Sequence, residues 1–207
     1  MALATYSNLT TALADWLVRS DLSSGQIQDL VSLCESRLNK VVRHRRMVTT
    51  ATLSLSAGTA TVAAPSDYLE ARTLILESSP DIVLRYMTPE TLAGYSREGT
   101  TGKPEFYTLV GDNFKVGKTP DANYSVTLEY YAALDLVTDE TNWLLTNYPD
   151  VYLYGALCEA EPFVLNDNRM PLWKAKFDEG IAELNADGDR SEVGAGSIAA
   201  RPDIAVV

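Results

Sequence analysis

NWLLTNYPDVYLYGALCEAEPFV, residues 142–164, is the stretch on which the reading of the fold turns. Asn147 stands where it can cap a helix beginning at Tyr148, with Pro149 in the first turn, where a missing N–H costs nothing, and Asp150 beside the free amides. Leu153, Leu157, Ala160 and Val164 follow at i, i+4, i+7 and i+11, flanked by Tyr154 and Cys158. That spacing predicts a central, largely buried helix. Gly155 and Ala156 leave room for the close approach of another backbone. Pro162 removes the bond to the Cys158 carbonyl and predicts a bend or an end nearby.

Two helical patterns precede this stretch and one follows it. Tyr6, Leu9, Leu13, Trp16 and Leu17 share a face over residues 5–19. Ser23 and Gln26 then have capping-box spacing, with Leu22 and Ile27 placed to staple across it. The second helix runs to about Arg45, with Ile27, Leu30, Val31, Cys34, Leu38, Val41 and Val42 on one face. Beyond residues 166–171, Trp173, Phe177, Gly180, Ile181 and Leu184 predict a last helix that stops at Asp187-Gly188.

Between these helices the period changes to two. Ala51, Leu53 and Leu55 alternate with Thr52, Ser54 and Ser56. An Ala57-Gly58 turn and residues 59–62 complete a predicted β-hairpin. Residues 72–77 and 82–86 predict a second hairpin, and residues 106–110 and 113–117 a third, about Gly111-Asp112. Thr88-Pro89-Glu90 opens a short helix. Tyr124, Val126, Leu128 and Tyr130 mark a half-buried last strand.

The expected fold is α+β: a four-helix bundle of two N-terminal and two C-terminal helices, with an inserted, mostly antiparallel β-rich region and an extended C-terminal arm. Its parts are residues 1–47, 48–135, 136–188 and 189–207. The arm, DRSEVGAGSIAARPDIAVV, has no period long enough for a core element. It reads either as a loose tail or, through Ile198, Ile204, Val206 and Val207, as a segment suited to strand addition or to a groove on a partner.

The formal net charge of −11 is unevenly spread. Residues 1–50 carry six basic and four acidic side chains; the rest carry eleven against twenty-four. Such acidity disfavours general nucleic-acid binding and favours a surface that repels phosphate. No apolar run reaches membrane-spanning length, and the first residues lack a basic n-region and an h-region, so the expectation is a protein of the cytoplasm with no membrane contact. Cys34 and Cys158 are expected to be free thiols.

Catalytic and cofactor signals are missing from the reading. His44, within Arg43-His44-Arg45-Arg46, is expected to be solvated at a helix C-terminus. One histidine and two distant cysteines do not supply a common metal site, and no glycine-rich phosphate loop occurs. Asp139-Glu140 and Glu159/Glu161 read as surface carboxylates. Neither an enzyme nor a cofactor is indicated. The basic run Arg37, Lys40, Arg43, Arg45 and Arg46 leaves three readings open: a solvated helix end, pairing with carboxylates of a neighbouring copy, or contact with DNA phosphates.

The order of these signals resembles the adaptor, or head-to-tail connector, proteins of tailed bacteriophages, in particular podophage-type adaptors. The residues that carry the resemblance are DWLVRSDL at 15–22, the arginine-rich helix end at 43–46, PSDY at 65–68, GKPEFY at 102–107, Tyr130-Tyr131, NWLL at 142–145 and YPDVYLYGAL at 148–157. The resemblance covers residues 5–186. It implies a structural virion protein, formed in the host cytoplasm and placed at the portal vertex, in a ring of twelve copies beneath the portal. Tail or nozzle protein would be held on the other side, and DNA would pass through the lumen without sequence-specific binding. It also implies that the arm, with Ile198, Arg201, Ile204, Val206 and Val207, binds the portal. Placement in the tail tube or nozzle, or a DNA-binding module using Arg43, Arg45 and Arg46, are the alternatives.

Overall fold

The computed structural model describes residues 3–18, 22–95, 100–160 and 168–193. The expected roles of Pro162 and Val164, and of Ile198, Arg201, Ile204, Val206 and Val207, lie outside the described residues. The chain divides into two units: residues 1–46 with 134–207, and residues 47–133.

In the first unit, helix α1 (Tyr6–Leu17) is capped by the Thr5 hydroxyl, which accepts from the Asn8 N–H at 3.2 Å. Helix α2 (Ser24–Val41) starts with the full capping box: Gln26 N–H donates to Ser23 Oγ, and Ser23 N–H to Gln26 Oε1. Two short helices follow, α4 (Leu136–Asp139) and α5 (Trp143–Asn147), then α6 (Pro149–Glu159) and α7 (Met170–Val193). Helix α6 packs against α1, α2, α5 and α7, with Val151, Tyr152, Leu153, Gly155, Ala156 and Leu157 buried. Gly155 is the point of closest approach. A Cβ there would strike Cys34 Sγ of α2 and the Phe177 ring of α7, so the room it leaves is taken by side chains and not by another backbone.

The second unit is one seven-stranded sheet in the order β1-β7-β3-β4-β5-β6-β2. Its strands are β1 (Val48–Leu55), β2 (Thr61–Ala63), β3 (Tyr68–Glu77), β4 (Ile82–Tyr86), β5 (Phe106–Val110), β6 (Asn113–Gly117) and β7 (Tyr124–Ala132). All the pairings are antiparallel except β4 with β5. Helix α3 (Pro89–Tyr95) lies on β5 and β6, where a Cβ at Gly117 would meet Leu92 Cδ1 at 2.8 Å. Strands β1 and β2 stand at opposite ends of the sheet order, yet only residues 56–60 join them. A flat sheet would set them about 29 Å apart, whereas the six chain steps from Leu55 to Thr61 span at most about 22 Å. The sheet is therefore curled nearly into a barrel. Leu53, Leu55, Leu74, Leu76, Leu84, Phe114, Val116, Val126, Leu128 and Tyr130 fill it.

This architecture corrects the expected fold class. The described residues hold seven α-helices and a nearly barrel-shaped mixed sheet, which is not a four-helix bundle with an inserted β region. The first predicted hairpin is also absent: β1 pairs with β7 and β2 with β6, although Gly58 does sit in a turn, at φ 78°. The hairpins β3–β4 and β5–β6 pair as the sequence predicts.

The deciding stretch is broken where a single helix start was expected. Asn147 ends α5, its side-chain amide donating back to the Trp143 carbonyl, and Asn142 caps α5 by accepting from the Leu145 N–H at 2.9 Å. Tyr148, with φ −135° and ψ 58°, then separates α5 from α6. Proline disfavours helical geometry in the residue before it, so Pro149 dictates the break at Tyr148. At the other end, α7 runs past Gly188 to Val193.

Candidate functional site

The basic run at the end of α2 does not act as one cluster. Arg37 forms an ion pair with Glu159 of α6 at 2.6 Å. Arg43 Nη1 donates to the Asn39 and Val42 carbonyls at 2.9 and 2.7 Å, closing the end of α2. Guanidinium groups suit such orphan carbonyls, which carry the negative end of the helix dipole. Lys40, Arg45 and Arg46 are exposed and form no ion pair among the described residues.

Helical spacing puts Leu33, Arg37, Lys40 and Val41 on one outward face of α2. Leu33 is 53% exposed and Val41 52%. Val41 was expected on the buried face; Val42 is the residue that goes inside. The outward face is thus mixed, aliphatic and cationic, on a chain of strongly negative net charge.

His44 is buried, not solvated. Its ring stacks on Trp143 at 4.9 Å between centroids, and Nδ1 accepts from the Arg46 N–H at 3.2 Å. With Nδ1 accepting, the neutral ring carries its proton on Nε2. That atom faces Asp187 Oδ2 of α7 at 3.5 Å, too long for a full hydrogen bond. Tyr148 donates to the same oxygen at 3.0 Å. The Tyr148 hydroxyl first, and His44 second, hold the Asp187 carboxyl below its usual range. Gly188 explains why α7 continues: its φ is not positive, and a Cβ would press on His44 Cδ2 at 3.2 Å. The glycine is there to admit the imidazole, not to end the helix.

A second buried polar group went unread in the sequence. Glu35 Oε1 accepts from the Leu136 N–H at 2.7 Å and from the Tyr152 hydroxyl at 2.8 Å, and the Asn142 side-chain amide donates to that hydroxyl at 2.6 Å. One carboxylate thereby links α2, α4, α5 and α6. Burial raises the Glu35 pKa against the two donated hydrogen bonds, which lower it. The signal was available: Glu35 falls four residues after Val31 and three before Leu38, on the apolar stripe, where an unpaired carboxylate does not survive.

Cys34 is buried and Cys158 partly so; both thiols are free, and burial pushes each pKa up, away from the reactive thiolate. Among the described residues no three or more His, Cys, Asp and Glu side chains gather to hold a metal ion. No described helix is long and apolar enough to cross a membrane.

Residues 4–201 match the family model of the SU10 adaptor protein, and the chain belongs to that family of phage structural adaptors. No curated protein matches the chain.

Proposed function

We propose that the chain is one subunit of a ring at the head-to-tail junction of a phage particle. The ring, of twelve copies, sits beneath the portal, carries tail or nozzle protein on its far side and extends the conduit for DNA. The observation that carries this reading is the adaptor family match across residues 4–201. The outward face of α2 supports it: Leu33, Lys40 and Val41, followed by Arg45 and Arg46, offer apolar contact and cations to an acidic neighbouring copy. Net negative charge also suits a lumen through which DNA slides without sticking.

In this reading Ile198 and Arg201, with Ile204, Val206 and Val207, belong to a tether that leaves its own copy. Co-elution of the purified chain with purified portal on size exclusion tests the contact. A complex is expected with the full chain and is expected to be lost when residues 194–207 are removed; an unchanged complex would take the tether out of the mechanism. Titrating DNA affinity against salt tests the conduit. Weak, flat binding is expected, and a steep fall with rising salt would instead mark a phosphate-binding protein.

A further inference from the structure

Among the described residues strand β1 is an edge that carries no charge, proline or bulge. It pairs only with β7, in an unbroken register from Val48↔Tyr131 to Leu55↔Tyr124. The side on which its free groups lie follows from one bond: Ala133 N–H donates to the Asp67 carbonyl ahead of β3, so odd-numbered residues of β7 face β3 and even-numbered ones face β1. Opposite those even residues stand Thr49, Ala51, Leu53 and Leu55, which therefore exchange hydrogen bonds with β7. The N–H and C=O groups of Val48, Thr50, Thr52 and Ser54 point the other way, and no backbone bond joins them to another described residue. Natural edges of this length are blunted by charges, proline, a bulge or a cover. The run VTTATLSL has no charge and no proline, and its register has no bulge.

The seam beside it defines what fits. Strands β1 and β2 converge at residues 56–60 without pairing. Along this seam β1 directs Ala51, Leu53 and Leu55 to the core, and the facing stretch directs Ala60, Val62 and Ala64; Leu53 and Leu55 are buried, whereas Ala51, Ala60, Val62 and Ala64 are only partly buried. Small side chains there leave room for aliphatic ones at alternate positions of an added strand. Arg45 and Arg46, exposed and without an ion pair among the described residues, come directly before β1 in the chain, so a carboxylate is wanted at that end.

Residues 203–207, Asp203-Ile204-Ala205-Val206-Val207, have this pattern: one carboxylate, then Ile204 and Val206 alternating with Ala205 and Val207. Ten chain steps separate Asp203 from Val193, the last described residue, and extended they reach about 33 Å. We infer that the open flank of β1 takes residues 203–207 of a second copy as an added parallel strand. Asp203 then meets Arg45 and Arg46, and Ile204 and Val206 enter the alanine-lined seam. This deepens the ring reading and rests on copies lying side by side. Contact with the portal falls to the stretch before it, with Ile198 and Arg201.

Amide hydrogen exchange on the full chain, dilute and concentrated, with sedimentation of the same samples, tests the inference. The Thr50 and Thr52 amides are expected to gain at least about tenfold protection as the chain self-associates. That gain is expected to vanish in a chain lacking residues 203–207 and in Thr50→Pro, which removes an outward N–H and leaves the β7 ladder whole. Thr50→Val, which keeps the N–H, should retain it and serves as the folding control. Self-association without protection of these amides overturns the β1 site and leaves the ring standing. Protection independent of concentration overturns the second copy as donor. A chain that never sediments above the monomer overturns the ring reading and this inference with it.

Discussion

In the helical unit the Glu35 carboxylate and the His44 ring lie in the interior, whereas the core of the sheet is ten aliphatic or aromatic side chains, and the buried polar side chain on its strands, Thr108, makes no hydrogen bond through its hydroxyl among the described residues. Backbone satisfaction explains the difference. Ladder bonds pair the strands' polar groups among themselves, so the sheet core asks mainly for volume. The helical unit instead contains α4 and α5, four and five residues long. Helices that short are nearly all terminus, with amides that lack partners and no stability of their own. Glu35 accepts from one such amide at Leu136, and Asn142 from another at Leu145. Buried polar side chains here hold segments that cannot hold themselves.

Single substitutions separate the two kinds of interior. Leu128→Ala in the middle of the sheet should cost most, about 3–4 kcal/mol, read as a lower urea midpoint. Glu35→Ala should cost about 3 kcal/mol, because it strands the Leu136 N–H and the Tyr152 hydroxyl together. Glu35→Gln keeps a carbonyl acceptor and should cost under about 1 kcal/mol. Equal losses for the two variants would mean that charge, not acceptance, is what the site needs. Ser23→Ala, which removes the cap of α2, should cost about 1 kcal/mol and serves as a surface reference.

Smallest is the dependence on pH. Burial raises the Glu35 pKa, so its contribution is fully present below the ordinary glutamate value and is lost as pH rises through the folded one. The stability of wild type relative to Glu35→Gln should therefore fall as pH is raised from the acid side toward neutrality. Asp187 has the opposite sign: its lowered pKa contributes above the ordinary aspartate value, and the contribution is lost as pH falls through the folded one. Asp187→Asn, measured the same way, should lose ground to wild type at neutral pH and recover it in acid. A parallel slope for both variants would undo the assignment.

How much was legible depends on how far apart the interacting residues stand. The Ser23–Gln26 capping box and the β3–β4 and β5–β6 hairpins join neighbours in the chain, and their signatures are complete within a few residues. His44 was misread because its surroundings come from far along the chain, Trp143 and Tyr148 from about a hundred residues further on and Asp187 from about a hundred and forty. The break at Tyr148 was within reach, since a residue before proline resists the helix and Asn142 stands in capping position ahead of Leu145. The expected start at Tyr148 lies one residue from the observed start of α6; what the apolar spacing beyond Pro149 does not reveal is the short helix α5 ahead of it, which Asn142 and not Asn147 caps.

Helical and alternating periods, most of the caps and, through a resemblance spread along most of the chain, the adaptor family are legible in the residues alone. Folding settles that β1 joins β7 and β2 joins β6, that the sheet curls, that Glu35 and His44 go inside, and that the outward flank of β1 pairs with no described strand. Periods and caps are written in contacts a few residues long. Strand order and buried polar pairs are settled by which distant segments satisfy each other's backbone groups and fill the shared core, and no local window contains both partners.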